Sequence, residues 1–368
     1  MTRVRDLSTA EELLAHLEKQ VEAAPDSDQP RAAVWSAWEF PPWSGWAPFA
    51  LRWIERLNAR WGAWMTEPQA CLLLAADARA LLGAGVPGMA AERAAEAQAR
   101  SLACGAEAMR RLANRVRVRA LVSGGRGSDA LVALTEDIPL FTEGVPASFR
   151  REEALADAVG GLLIGDGNRL MEATARILGD PDGSESARWH GTLARALQAQ
   201  ARAREGAWPD AVRLLTEAIG TAREAGSIAE DAAFSVACGA FRLASGDSEG
   251  IGNLADASSL LGSVDTTAGI AVLAGLPLDP AGADGPQALV EALMESAVQR
   301  VRLQDATGAV LAVLAAAGML VHLEASDVAA EFVGNSIQAL SRSAPLESRA
   351  ILSGGIALGL MNPESDGR

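Results

Sequence analysis

The sequence predicts an all-α protein: a right-handed α-solenoid of helical hairpins with a period of about 40 residues. Three observations predict it. Ala-rich helix formers dominate the composition, and β-branched alternation is scarce. Gly85, Gly125, Gly165, Gly206, Gly246 and Gly285 stand 39 to 41 residues apart, and Ala325 continues the series. Apolar, helix-like segments flank most of them. A hairpin cannot bury its apolar face alone, so a fixed period of this size is the signature of hairpins stacked into one core. Finally, Glu185–Ser227 reads as one complete hairpin, with a helix to about Arg204, a turn at Gly206 and a second helix from Trp208.

The second half of that hairpin resembles a tetratricopeptide (TPR) repeat. Gly206-Ala207-Trp208-Pro209-Asp210-Ala211 stands where that family has Gly, a polar residue, an aromatic and a small Ala, and Ala218 fills the next small position. The first half departs from the pattern, with Arg195, Gln198, Ala199 and Arg202 in the usual Trp, Leu, Gly and Tyr places. The resemblance covers about one repeat. It implies a TPR-like scaffold that binds protein or peptide, with the first helix of each hairpin lining a concave groove.

In chain order, residues 1–24 read as a helix with Ser8 or Thr9 as N-cap and Leu13, Leu14, Leu17 and Val21 on its apolar face. Residues 24–30 read as a polar linker. Seven of the nine tryptophans then follow between Trp35 and Trp64. Phe40–Trp46 is a loop, because two prolines block helix. From Pro48 a helix places Trp53, Leu57, Trp61 and Trp64 on one face. This segment either caps the open end of the stack or offers Trp43 and Trp46 as an aromatic binding patch. Hairpin helices follow at Gln69–Leu82, Pro87–Ala99, Arg100–Val122 and Ser128–Asp137, then at Phe149–Ile164 and Asn168–Leu178. The central hairpin comes next, followed by Ile228–Ala244, Gly250–Leu261, Thr266–Leu276, Pro286–Leu303, Asp305–Leu323 and Ser326–Arg342. A last, apolar helix, Leu346–Met361, either packs inward or forms a dimer contact. The domains are accordingly 1–67, an N-terminal helical cap with the Trp-rich segment; 68–345, the repeats; and 346–368, a capping helix and tail.

Composition narrows the function classes. The formal net charge of −15 argues against generic binding to nucleic acid or anionic membrane. The most apolar run, Thr307–Leu323, is short for a membrane span and reads as a buried helix. The charged N-terminus is no signal peptide, and Cys71, Cys104 and Cys238 show no metal or redox spacing, so a reducing cytoplasm is expected.

Little in the sequence points to catalysis. Leu121–Asp129 (LVSGGRGSD) resembles the phosphate loop of ATP pyrophosphatases, which implies a strand before it and a cradle of backbone amides. Gly127, however, replaces that family's Asp, no series of strands follows, and the hairpin register already accounts for the glycines. His16, His190 and His322 share no ligand spacing and read as packing residues. Glu152–Glu153 reads as a helix-start pair favoured by the macrodipole. The basic features are more distinctive. Arg100, Arg110, Arg111, Arg115, Arg117, Arg119 and Arg126 form an island against Glu107 alone, and Arg188, Arg195 and Arg202 recur every seven residues. Such a stripe can clamp carboxylates or phosphate bidentately.

The sequence therefore predicts a non-catalytic scaffold or adaptor that binds a protein or peptide, including acidic ones, in an Arg-lined groove. Arg188, Arg195, Arg202, Arg111, Arg115, Trp43 and Trp46 are its candidate contacts. No cofactor and no metal is expected. Two alternatives stay open: an all-α enzyme or enzyme subunit with a small-molecule pocket between hairpins, and a homo-oligomeric structural component.

Overall fold

The computed structural model describes residues 10–136, 145–261, 286–302 and 305–362. Among these residues there are seventeen α-helices and no strand. They are α1 (Ala10–Ala23), α2 (Gln29–Glu39), α3 (Ala47–Trp61), α4 (Glu67–Gly83), α5 (Pro87–Ala103), α6 (Glu107–Ser123), α7 (Gly127–Leu134), α8 (Ala147–Ile164), α9 (Gly167–Leu178), α10 (Glu185–Arg204), α11 (Trp208–Glu224), α12 (Ile228–Ala244), α13 (Gly250–Leu261), α14 (Pro286–Arg302), α15 (Ala306–His322), α16 (Ser326–Leu340) and α17 (Pro345–Ala357). The expected caps Ser8 and Thr9, the helix 266–276 and the turn glycine at 285 lie outside the described residues. No described helix is long and apolar enough to cross a membrane.

Helix ends follow from one local device. Gly85, Gly105, Gly125, Gly165, Gly206, Gly226 and Gly246 all have φ between 66° and 84°, the left-handed region that glycine enters without a Cβ penalty. At Gly85 the chain closes with Gly85 N–H on Leu82 O and Val86 N–H on Leu81 O, and the same pair of bonds recurs at Gly125 and Gly165. Gly105 and Gly226 fall midway between members of the glycine series, so a turn closes after each helix as well as after each pair. The Leu121–Asp129 loop is one of these turns. Val116, Val118 and Leu121 are helical, not a strand, and the loop joins α6 to α7.

The chain divides into two compact units, Met1–Leu197 with Arg223–Ser227, and Gln198–Ala222 with Ile228–Arg368. In the first unit successive helices pack as neighbours (α4 on α5, α5 on α6, α6 on α7, α8 on α9), and α4 and α8 also touch α6. Ala90, Ala94 and Ala97 of α5 are fully buried, and small side chains of this kind permit close helix approach. At Gly161 the approach is close against backbone: a Cβ there would lie 2.9 Å from the Leu170 backbone nitrogen and 3.0 Å from Asp166 O. Backbone cannot rotate aside, so Gly161→Ala is expected to lower stability by about 1–3 kcal/mol. Chemical unfolding would measure that loss.

The Trp-rich segment is interior. α2 begins inside the stretch expected to be linker, and Trp38 and Trp43 are wholly buried. Trp46 is buried too and donates through Nε1 to Ala225 O at 3.0 Å. Trp53 Nε1 donates to Ser36 Oγ at 2.9 Å. Trp64 departs from the expected face: the chain leaves α3 at Trp61 for a single 3₁₀ turn, Gly62–Trp64, and its ring is 77% exposed.

The second unit contains sequential pairs as well, α12 on α13, α14 on α15, α15 on α16 and α16 on α17. It adds long-range packing, because α12 also lies against α15 and α17. A linear solenoid has only nearest-neighbour contacts, so this part of the chain is more closed than the sequence predicts. α15 carries the Thr307–Leu323 run and is buried between neighbours, as expected. α17 packs inward through Ile351 and through Gly354, where an added Cβ would strike Leu314.

Candidate functional site

The basic island is answered by acids, most of them delivered from elsewhere in the fold and two, at Arg110 and Arg126, from three residues away in sequence. Arg100 meets Glu67, Arg110 meets Glu107, Arg111 and Arg115 meet Glu153, Arg117 meets Glu136, Arg119 meets Glu152 and Arg126 meets Asp129. Every member of the island is therefore ion-paired. Arg111 and Arg115 are buried on α6 and turned toward α8, where Arg111 Nε donates to Glu153 Oε1 at 2.7 Å. Their burial corrects the expectation of two surface contacts. The local sequence around them lacks carboxylates, so the folded chain recruits them from α8.

At the centre of the first unit lies a buried charge cluster that the sequence did not reveal. Glu152 of α8 is 0% exposed, as is His190 of α10, and Arg79 of α4 is 2% exposed. Arg119 of α6 hydrogen-bonds Glu152 Oε1, and Arg79 Nε lies 3.6 Å from Glu152 Oε2. Arg79 Nη1 donates to Trp38 O at 2.7 Å, and its guanidinium carbon sits 4.1 Å from the Trp38 ring centroid. Arg119 stacks on Trp189, 4.7 Å from its centroid. Two cations thus lie between aromatic faces and one carboxylate, which compensates part of their lost hydration. Arg79 Nε and Nη2 have no hydrogen-bond partner among the described residues, so the rings rather than acceptors cover that side of the guanidinium.

Electrostatics in this cluster follow from burial and neighbours. Burial alone would raise the Glu152 carboxyl. The Arg119 charge, the His190 hydrogen bond and the Arg79 charge outweigh it and hold the group well below the usual carboxylate range. The His190 ring lies between two acceptors, with Nε2 3.2 Å from Glu152 Oε2 and Nδ1 2.6 Å from Ser186 O. Only an imidazolium donates to both. Burial opposes that form more strongly than Glu152 favours it, and Arg79 adds repulsion, so the pKa is lowered to about 4. Burial likewise lowers Arg79 to about 10, which leaves it charged at neutral pH. A Glu–His pair is common equipment for proton transfer. This one is enclosed on every side by its own helices and is spent on holding Arg79 and Arg119.

The remaining predicted residues are placed as follows. Arg188 is half-exposed and bridges Glu185 at 2.6 Å and Glu224 at 2.8 Å. Arg195 is also half-buried. Arg202 pairs with Glu205 at 2.8 Å. An acidic ligand would have to displace these carboxylates at Arg188 and Arg202. Trp43 and Trp46 are buried and form no exposed patch.

A surface groove of about 500 Å³ lies between α1 and α3, with exposed charged groups at its rim and the largely buried Trp53 and Trp61 rings at its floor. Trp53, Trp61 and Ala59 supply its apolar lining, and Glu18, Glu22, Arg56 and Arg60 its charges. Arg56 Nη1 bridges Glu18 at 3.1 Å, and Arg60 stacks 4.4 Å over the Trp61 ring. Exposed Trp64 follows Trp61 by one turn. A signal for this site was present in the sequence, since α1 and α3 are amphipathic; the exposure of Trp64 was not, because its spacing continues the face of Trp53, Leu57 and Trp61 and only the 3₁₀ turn at Gly62–Trp64 turns it out. No protein-family model matches the chain, and no characterised protein shows significant similarity to it.

Proposed function

We propose that this protein is a non-catalytic, TPR-like helical-repeat scaffold that docks a peptide segment of a partner protein on its α1–α3 face. The groove lined by Trp53, Trp61, Arg56 and Arg60 carries the reading. A preformed, mostly apolar concavity with a few fixed charges is the usual form of a recognition site, and Trp and Arg are the side chains that most often anchor interfaces; here Arg56 and Arg60 are exposed beside the nearly buried Trp53 and Trp61 rings, with exposed Trp64 one turn on. The repeat part of the proposal is supported by α4 to α9. Their first residues fall at 67, 87, 107, 127, 147 and 167, two helices to each 40-residue period, and the same left-handed closure recurs between most of them. The non-catalytic part is supported by the spent acid–base groups of the buried cluster. The segment expected in the groove carries one apolar anchor for the Trp53–Trp61 floor and an acidic residue for Arg60. The acidity of the chain and the pairing of the basic island argue against nucleic acid as the partner.

The test is selection of peptides from a random display library on the wild-type protein, repeated on Arg60→Glu/Trp64→Ala. Both positions are exposed, so this variant is expected to retain wild-type stability within about 0.5 kcal/mol. An apolar–acidic consensus enriched on wild type and absent from the variant is the expected result. Identical enrichment on both proteins would refute the proposed face.

A further inference from the structure

The sequence places Cys71 and Cys104 thirty-three residues apart, with no redox spacing. The fold brings them together. α4 and α5 pack as an antiparallel pair, so the first turn of α4 lies beside the last turn of α5, and Arg100 of α5 reaches Glu67 of α4 at 2.9 Å. Cys71 is in the first turns of α4 and Cys104 caps α5. The Ser101 and Cys104 side chains are the electrostatic neighbours of the Cys71 thiol at this end of the pair. Cys104 Sγ in turn donates to Ser101 O at 3.6 Å. Cys104 is exposed, whereas Cys71 is buried, and neither is in a disulfide.

We propose that Cys71 and Cys104 are a reversible redox pair, oxidised by hydrogen peroxide to a disulfide that staples α4 to α5. The exposed partner reacts first. The Cys104 thiolate attacks a peroxide oxygen, the O–O bond breaks, and hydroxide leaves and takes up a proton as water. Cys104 is then a sulfenic acid. Cys71 sulfur attacks the Cys104 sulfur, its proton leaves with the departing hydroxyl as a second water, and the S–S bond forms. Two thiols lose two electrons and two protons, and one peroxide becomes two waters. The roles follow from the surroundings. Burial pushes the Cys71 thiol up, so it is a poor first nucleophile, while its contact with Cys104 makes it the resolving group. Cys238 is buried in the other unit, and its thiol is likewise pushed up by burial.

The experiment treats the full chain with hydrogen peroxide, then counts alkylatable thiols after denaturation and maps peptides by mass spectrometry. The count is expected to fall from three to one, with a Cys71–Cys104 linked peptide that dithiothreitol reverses. In Cys71→Ser, the reaction is expected to stop at a Cys104 sulfenic acid trapped by dimedone. The proposal is overturned if wild type keeps three thiols. It is equally overturned if Cys104 passes to sulfinic acid while Cys71 stays alkylatable, or if either residue links only to Cys238. Should Cys71→Ser not fold, the wild-type peptide map decides by itself.

Discussion

Replacing Glu152 by alanine is expected to cost about 3–5 kcal/mol, the loss typical of removing one partner from a buried ion pair. The reason is what remains behind. Arg79 and Arg119 stay charged and buried without the ion pair each makes to Glu152, and His190 loses the acceptor at its Nε2. Glu152→Gln keeps the shape yet removes the charge, so it is expected to be nearly as damaging. The size of the loss measures stranded charge, not a bonus from the cluster, because apolar replacement of a whole buried ionic set is often neutral or better. Glu67→Ala is the control. Its bridge to Arg100 joins two exposed groups and is expected to be worth less than about 1 kcal/mol. Urea unfolding of the three variants would separate these outcomes.

The second large effect is acid lability. The folded chain holds His190 neutral with a pKa lowered to about 4, against 6.5 for an ordinary histidine. Between these values the unfolded chain binds a proton that the folded chain refuses. Stability therefore falls as pH falls from about 6.5 toward 4, by at most about 1.4 kcal/mol per pH unit from this one group. Glu152 adds to the loss at lower pH. Its folded carboxyl is held below its ordinary 4.5, so the stability it contributes is present above that value and drains away below it. His190→Gln is expected to flatten the upper window and leave the lower one. Unfolding midpoints at several pH values between 7.5 and 4 would show whether the slope changes by one proton.

How much of this was legible in the sequence differs from feature to feature. Most helices from α4 to α12 were legible because a local signal bounds them: Pro87 at an N1 position, or glycine at a left-handed closure. The α5–α6 boundary was misplaced, since the sequence suggests a helix from Arg100, whereas α5 runs to Ala103 and the turn falls at Gly105. α2 was not legible, since Pro30 and the polar residues before it look like linker, while Pro at the first turn also starts a helix. The charge cluster was illegible for a different reason. Glu152 and His190 each look ordinary in their own segments, and only the packing of α4, α6, α8 and α10 joins them. The unmatched arginines of α6 were the available clue. Arg111, Arg115 and Arg119 cannot be buried without acids from elsewhere, and Glu152–Glu153 is the acidic pair that the fold supplies. Trp43 and Trp46 illustrate the opposite case. Their density suggested a patch, but rings bounded by prolines and small residues fill interior volume. Cys71 and Cys104 were hidden because hairpin pairing, not spacing, sets their separation.

The central claim is that the α1–α3 groove, rather than the α10 arginines, receives a peptide. Calorimetric titration of an enriched peptide into three proteins tests it most directly: wild type, Arg60→Glu/Trp64→Ala and Arg188→Gln/Arg195→Gln. One-to-one binding to wild type is expected, with at least about a tenfold loss in the groove variant, equivalent to about 1.4 kcal/mol, and unchanged affinity in the α10 variant. Wild-type affinity in the groove variant, with loss in the α10 variant, would contradict that claim.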